Sequence, residues 1–270
     1  MADIDYTDTY VSKWMNPATW PSLAAQHQAP LAVSTDAALL HSCMDFAKEC
    51  MAGRDASHDY DHVLRVAKIA VSLAHALDVQ AGDQQDIIVL TALLHDVKDH
   101  KYTDCKDLSV EDWLTSQGTS EAVANGVSAV LRRHGWSNQL PGGTAACEEL
   151  PADLQLALDI LHDADTIDAV GAVGVARTLT FGGYKTRPLM DATNPPVEHF
   201  ASVEEYKARG KTGTTVDHFY EKLFKLAGSA RTEPARKVMA VRQKRMIRWL
   251  DEYLQEWACD DIAEALGMPE

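Results

Sequence analysis

The feature that most constrains this chain is an apolar run from Ile87 to Leu94 that ends in the pair His95-Asp96. An apolar segment of this kind is typical of a helix that is buried on most sides. Its C-terminal end then carries an imidazole and a carboxylate into the interior, where polar groups are costly unless they have partners. Two interpretations are open: the two groups bind a divalent transition metal, or they form a hydrogen-bonded pair in the core. The rest of the chain decides between the two.

The preceding helix carries a second histidine on its apolar face. His62 shares helical spacing with the apolar residues Val66, Ile69, Leu73 and Leu77, which predicts that it points inward. A short turn at residues 78–83 separates this helix from the one that ends in His95-Asp96. Because two antiparallel helices bring the start of the first beside the end of the second, we predict that His62 meets this pair. His58, four residues earlier, is a candidate to contact substrate or to support the ligands.

A third helical stretch, beginning near Leu154, places carboxylates on a buried face. Asp165 and Asp168 continue the apolar stripe formed by Leu154, Leu158 and Leu161. A buried carboxylate without a cation is forced to protonate or to destabilise the fold. We therefore predict that Asp165 is a metal ligand, whereas Asp163 projects about 200° away from it on a helix.

Charged residues near these helices are candidates for catalysis and for substrate binding, with a solvated surface as the alternative. Asp99 lies one turn beyond Asp96, where it can orient a water molecule and act as a general base. His134 either caps its own helix or faces the site. One or two of four cations are candidates to clamp a phosphate: Lys185, Arg187, Lys222 and Arg242.

Composition restricts the partners of the chain. Its 25 Lys and Arg against 40 Asp and Glu give a net charge of −15, so we expect neither a nucleic-acid polymer nor a membrane as partner. Small anionic substrates remain compatible if a metal and local cations reverse the field in a pocket. The five cysteines show no CxxC spacing, which favours reduced thiols. Without a leader or a long apolar run, we expect a soluble, cytoplasmic protein.

The predicted architecture is all-α. No βαβ alternation, glycine-rich nucleotide motif or internal repeat is present, and 46% of the residues are hydrophobic, enough for one large core. Residues 1–33 hold tryptophans and prolines without periodicity and are predicted to form an irregular arm. Residues 34–257 are predicted to form a single helical domain, and residues 258–270 a C-terminal tail. The first helix of the helical domain is predicted to be capped by Ser34 or Thr35.

With His62, His95-Asp96 and Asp165 in this order on three helices, the sequence resembles the HD-domain superfamily of metal-dependent phosphohydrolases. Longer stretches resemble a small bacterial subgroup that is similar to nucleotide pyrophosphohydrolases: Ser57 to Val66, Ala92 to Tyr102, Asp163 to Thr178 and His218 to Leu223. The resemblance implies a single HD-domain helical bundle in which His62, His95, Asp96 and Asp165 bind the metal. It also implies that Asp99 stands where several relatives carry an acidic residue proposed to activate water.

The function that this resemblance implies is hydrolysis of a phosphoester or phosphoanhydride, above all in a nucleotide. One divalent ion per chain is expected, from among Mn²⁺, Fe²⁺, Co²⁺ and Mg²⁺, and a homodimer is left open. Two alternatives share the fold: a diiron oxygenase of the HD type, which needs additional histidines, and a non-catalytic module that senses a nucleotide. The residues expected to bind substrate are His58, Arg65, Lys101, Lys185, Arg187 and Lys222, and the additional histidines would come from His58, His100, His134 and His162.

Overall fold

The computed structural model describes residues 18, 31–97, 109–135, 149–191, 193–197, 200 and 202–267. The chain divides into two units, residues 1–32 and 33–270, and the helices from Ala37 onward belong to the second. The predicted all-α class is confirmed, since the described residues contain no strand. None of their helices is long and apolar enough to cross a bilayer.

The α-helices are α1 (Ala37–Met51), α2 (Tyr60–Ala76), α3 (Asp83–Leu94), α4 (Val110–Ser116), α5 (Glu121–Arg133), α6 (Ala152–Asp168), α7 (Gly171–Tyr184), α8 (Val203–Thr212), α9 (Glu233–Ala258) and α10 (Asp260–Ala265). A π-helical turn (Phe219–Leu223), one α-helical turn (Phe224–Leu226) and a 3-10 turn (Ala227–Ser229) connect α8 to α9. The predicted domain bounds stay a prediction.

Helix α3 forms the centre of the bundle, as its apolar run predicted. Every residue from Ile87 to Leu94 is buried, and the helix packs against α1, α2, α5 and α6. The hydroxyl of Thr91 is satisfied inside the core because Oγ1 donates to the carbonyl of Ile87 at 2.7 Å. Helix α3 therefore fixes where its C-terminal end, and with it His95, can lie.

Helices α2 and α3 form the predicted αα-hairpin. The side chain of Asp59 caps α2 by accepting a 3.0 Å hydrogen bond from the backbone N–H of His62. The connecting turn uses two left-handed residues, Asp78 with φ 55° and Gly82 with φ 131°. Because this turn is short, the first turn of α2 lies beside the end of α3, and His62 meets His95.

Helix α6 packs against both members of this hairpin and also supports α9. Asp163 accepts hydrogen bonds from the backbone N–H groups of Arg231 at 2.8 Å and Thr232 at 2.7 Å, at the start of α9. The prediction that Asp163 and Asp165 face different directions is thereby confirmed, since Asp165 points to the other side of α6.

The start of α1 differs from the prediction. Asp36 is the cap, and its side chain accepts a 2.9 Å hydrogen bond from the N–H of Leu39. The two predicted caps instead bind to α3: the hydroxyl of Thr35 donates to Asp86 at 2.6 Å, and that of Ser34 donates to Gln85 at 2.7 Å. Because both hydroxyls are hydrogen-bonded to side chains of α3, neither caps α1.

The cysteines also depart in part from expectation. Cys43 and Cys259 are free thiols, as expected, and burial raises the pKa of Cys43 to about 12. Cys50 at the end of α1, however, is disulfide-bonded, so the expectation of reduced thiols is wrong for this residue.

Candidate metal centre

Helices α2, α3 and α6 bring together the four side chains predicted to bind a metal. His62 Nε2 lies 3.2 Å from His95 Nε2. The same atom lies 3.5 Å from one carboxylate oxygen of Asp96 and 3.5 Å from one of Asp165. Ligand atoms about 2.1 Å from a common ion stand roughly 3.0–3.4 Å apart. The observed separations are therefore close to those of atoms that share one cation.

Hydrogen bonds on the far side of both imidazole rings turn their Nε2 lone pairs toward each other. His62 Nδ1 donates to Asp168 Oδ2 at 2.8 Å, and His95 Nδ1 donates to the carbonyl of Ala92 at 2.9 Å. Because a carboxylate and a carbonyl only accept, the protons of the neutral rings lie on Nδ1. Two bare nitrogens and the carboxylate of Asp96 then lie within 4.8 Å of one another, and the carboxylate of Asp165 lies beside His62. This donor set fits a divalent cation.

The pKa values of the two histidines are shifted in opposite directions. Burial lowers the pKa of His95, although Asp96 and Asp165 act in the opposite direction. Burial and the cation of Arg177 also act to lower the pKa of His62, but its hydrogen bonds with Asp168 and Asp96 raise it overall. A proton on His62 Nε2 is therefore the competitor that a metal ion must displace.

His134 joins the centre through Asp165. One oxygen of Asp165 faces His62, and the other lies 3.3 Å from His134 Nε2. The ring of His134 stands edge-on to that of His95, with 5.6 Å between centroids. Burial acts to raise the pKa of Asp165, but the hydrogen bond of His134 and the other histidines hold it well below its usual range. The structure gives both alternatives for His134, which is the C-cap residue of α5 and whose side chain faces the site.

Asp168 holds His62 from behind, a role that the sequence did not reveal. Its carboxylate also accepts hydrogen bonds from Arg65 Nε at 2.7 Å and from Arg177 Nη1 at 3.2 Å. Burial acts to raise the pKa of Asp168, but the hydrogen bonds from His62 and Arg65 hold it far below its usual range. An ionised carboxylate on Nδ1 fixes the tautomer and orientation of a metal-binding histidine. The sequence signal that could have pointed to this role was the position of Asp168 on the same apolar stripe as Asp165.

Two of the cations considered for substrate binding instead stabilise the end of α6. Arg65 binds Asp168 with two nitrogens, at 2.7 and 3.0 Å. Arg242 donates from Nη1 to the carbonyl of Ile167 at 2.6 Å. A cation near the last carbonyls of a helix also interacts favourably with its dipole.

The other candidates for substrate binding lie around α7. His58, Arg187 and Lys222 line a cavity of about 240 Å³, and none of the four candidate metal ligands is among its lining residues. Lys185 is exposed at the end of α7, with Nζ 4.8 Å from the ring centroid of Tyr184. The remaining two candidates, Asp99 and Lys101, lie outside the residues that the structure describes.

Comparison with known families agrees with this geometry. Residues 59–170 match the family model described as "HD domain", a span that includes all four candidate ligands. This stretch is therefore similar to an HD domain, and the resemblance seen in the sequence is confirmed.

Individual proteins are similar to the chain over most of its length. Bacillus subtilis YpgQ is 26% identical over 210 residues, which cover 76% of this chain and 87% of YpgQ. A solved protein from Lactobacillus plantarum is 28% identical, with a TM-score of 0.68 over 83% of this chain and 98% of its own. An HD-superfamily hydrolase from Bacillus thuringiensis is 28% identical, with a TM-score of 0.58 over 81% of this chain and 96% of its own. The solved structure of YpgQ in complex with ADP is 24% identical, with a TM-score of 0.59 over 81% of this chain and 94% of its own. The chain thus has the fold of HD-superfamily hydrolases.

Proposed function

We propose that this protein is a metal-dependent phosphohydrolase that cleaves a phosphoester or phosphoanhydride bond of a nucleotide. The observation that carries the proposal is the 3.2 Å approach of two imidazole Nε2 atoms beside the carboxylates of Asp96 and Asp165. In each neutral ring the hydrogen bond made by Nδ1 leaves the lone pair of Nε2 free to bind a metal. The fold of HD-superfamily hydrolases supports hydrolysis as the reaction class. The solved complex of YpgQ with ADP makes nucleotides the first substrates to test.

In this proposal His62, His95, Asp96 and Asp165 hold one divalent ion, chosen from Mn²⁺, Fe²⁺, Co²⁺ and Mg²⁺. When bound, the ion lowers the pKa of a coordinated water molecule and polarises a phosphoryl oxygen. Asp168 keeps the proton of His62 on Nδ1, so that Nε2 remains a ligand.

Asp99 is proposed to take the proton from the attacking water molecule. Its position three residues after Asp96 supports this role, and a carboxylate within hydrogen-bonding reach of the attacking water molecule can act as a general base. Lys101 is proposed to neutralise charge that develops on the phosphoryl group. Both roles rest on position in the sequence alone.

The cations around α7 are proposed to bind the remainder of the substrate. His58 and Arg187 line the cavity next to this helix together with Lys222, and Lys185 lies nearby at the surface. Arg65 is proposed to act indirectly, since both of its contacts are with the carboxylate that orients His62.

The proposal is tested with protein stripped of metal and reloaded with each of the four ions. A panel of nucleoside mono-, di- and triphosphates and simple phosphomonoesters is assayed for product release. We expect turnover only with a metal, and a loss of more than about 1000-fold in His95→Ala, together with its metal. His75→Ala, at an exposed position of α2, is the matched control and should behave as the wild type. Full metal content and full turnover in His95→Ala would overturn the assignment.

One observation favours a diiron oxygenase as a second candidate. His134 adds a third imidazole to the centre, 3.3 Å from the oxygen of Asp165 that faces away from His62. The Nε2 atom of His162 is engaged elsewhere, since it faces the carbonyl of Ser229 at 3.2 Å. Two irons per chain, with turnover that requires oxygen, would support the oxygenase and exclude the hydrolase.

A further inference from the structure

The exposed apolar side chains of this protein are concentrated on α9 and α10. Ten large apolar side chains are exposed in the described part of the chain, and six of them lie between residues 238 and 266. Scattered exposed apolar residues are normal on a folded protein, but their concentration on one element indicates a contact surface. The six are Val238, Val241, Ile247, Trp257, Ile262 and Leu266.

Six positions of α9 repeat at alternating intervals of three and four residues, and all six are exposed. This spacing is the one along which two helices pack side by side in a coiled coil. From the start of the helix these positions hold two valines, two arginines, a glutamate and a glutamine. We call them the α9 stripe: Val238, Val241, Arg245, Arg248, Glu252 and Gln255.

The charges of α9 and α10 are divided between two halves. Residues 233–248 hold six arginine or lysine side chains and one carboxylate, whereas residues 249–266 hold six carboxylates and no arginine or lysine. This order is unfavourable for a single helix, because its dipole favours anions near the N-terminus and cations near the C-terminus. The ion pair across the boundary, between Arg248 and Glu252, is mostly exposed and contributes little. The charge order therefore has no stabilising role within α9 itself.

A second copy of α9 supplies the complementary charge order. When two α9 helices run antiparallel, the basic half of each lies beside the acidic half of the other. A two-fold axis near Leu250 places Arg248 beside Glu252 of the second copy, and Val241 beside Cys259 of the second copy. The same residues then form the contact on both copies, as a symmetric dimer requires. Charge complementarity of this kind fixes orientation and register.

We propose that α9 is the contact surface of a homodimer, in which the α9 stripes of two copies pair in antiparallel orientation. The charged centre of the stripe fixes the register, and Val238 and Val241 supply apolar contact at each end. Arg245, which makes no ion pair in the described part of the chain, faces Glu256 of the second copy. None of the candidate metal ligands belongs to the stripe, so the dimer and the hydrolase are separate proposals.

Charge reversal tests the pairing, with analytical ultracentrifugation of the full chain as the measurement. The double variant Arg245→Glu with Arg248→Glu makes the stripe acidic, and Glu252→Arg with Glu256→Arg makes it basic. Each should self-associate at least about 100-fold more weakly than the wild type, because like charges then face each other. An equimolar mixture of the two should form a heterodimer with an affinity within about tenfold of the wild-type dimer, because every facing pair is again of opposite charge.

A matched control changes the net charge by the same amount elsewhere. Lys48 and Arg132 are exposed on α1 and α5. The double variant Lys48→Glu with Arg132→Glu therefore has the net charge of the acidic variant with an intact α9 stripe, and it should dimerise as the wild type does.

Disulfide trapping tests the orientation and the register. Cys259 is a free, exposed thiol at the end of α9. Val241→Cys treated with oxidised glutathione should give a covalent dimer on non-reducing electrophoresis, and the further change Cys259→Ser should abolish it. Ile247→Cys is the matched control, because Ile247 is 49% exposed against 51% for Val241 but lies about 120° around the helix. It should stay a single chain.

Three results would overturn the inference. The first is a wild type that stays monomeric up to about 100 µM, and binding of that monomer to anionic vesicles would assign the basic half of α9 to a membrane surface instead. The second is wild-type dimerisation in the charge-reversed variants. The third is a mixture of the two folded variants that does not associate. If one variant fails to fold, the other variant and the Val241→Cys cross-link still decide.

Discussion

His62 Nδ1 donates a 2.8 Å hydrogen bond to a carboxylate oxygen of Asp168, across 106 residues of sequence. The same carboxylate is held by Arg65 and Arg177, and its side chain is 1% exposed. Two arginines thus hold Asp168 in place, and Asp168 in turn fixes the ring of His62. A metal-binding histidine gains both orientation and basicity from such a partner.

Asp168→Asn should weaken binding of Mn²⁺ by about 10- to 100-fold, because the amide is neutral and no longer favours the proton on Nδ1 of His62. Thermal stability should fall as well, since Arg65 and Arg177 lose their common counter-ion. Asp159→Asn is a suitable control on the same helix, since Asp159 pairs with Arg231 at 2.9 Å and is partly exposed. Titration of both metal-free variants with Mn²⁺ gives the comparison. Equal affinities would show that Asp168 does not support the metal centre.

Gly182 and Gly183 provide a test of packing between α7 and the segment that lines the cavity. A Cβ atom at Gly182 would lie 2.7 Å from Thr215 Cγ2 and closer still to its hydroxyl, whereas one at Gly183 would meet nothing within 4 Å. Gly182→Ala should therefore destabilise the fold by about 1–3 kcal/mol. Gly183→Ala should stabilise it by up to about 1 kcal/mol, since alanine is the better helix former. Chemical denaturation measures both, and equal effects would contradict the close contact.

His162 makes the stability depend on pH. Burial is the main cause that lowers its pKa to about 4, against about 6.5 in an unfolded chain. Because the unfolded chain binds the proton more tightly, this contribution is fully present above about pH 6.5 and is lost as the pH falls toward 4, by roughly 3 kcal/mol in all. His162→Gln should flatten the decline in unfolding free energy over this window. His75→Gln, exposed on α2, should leave the decline unchanged; if both variants follow the wild type, His162 is not the group responsible.

The helical periodicity of the sequence predicted which side chains meet at most of the candidate metal centre. The spacing of His62 with apolar residues, and the short turn before α3, required the two ends of the hairpin to meet. The 200° difference between Asp163 and Asp165 also followed from helix geometry. These features depend on local backbone repeats, and the structure has all of them.

Other features depend on tertiary contacts that no local pattern encodes. The role of Asp168 required knowledge of which ring nitrogen it faces, and that of Arg177 required the packing of α7 beside α6. The turn at Phe219–Leu223 has an amphipathic pattern that is typical of an α-helix, yet it is π-helical. Leu223 and Leu226 still point inward as the pattern indicates. An amphipathic pattern therefore indicates which face is buried but not whether the turn is α- or π-helical.

Four side chains carried by three helices are proposed to hold one cation, and counting bound ions tests this claim most directly. Metal-free wild type titrated with Mn²⁺ should bind one ion per chain, and Asp165→Asn should lose at least about 100-fold in affinity, because an amide oxygen is a weaker ligand than a carboxylate. Asp159→Asn should match the wild type. A wild-type protein that binds no divalent ion, or an Asp165→Asn variant that binds it with full affinity, would contradict the claim.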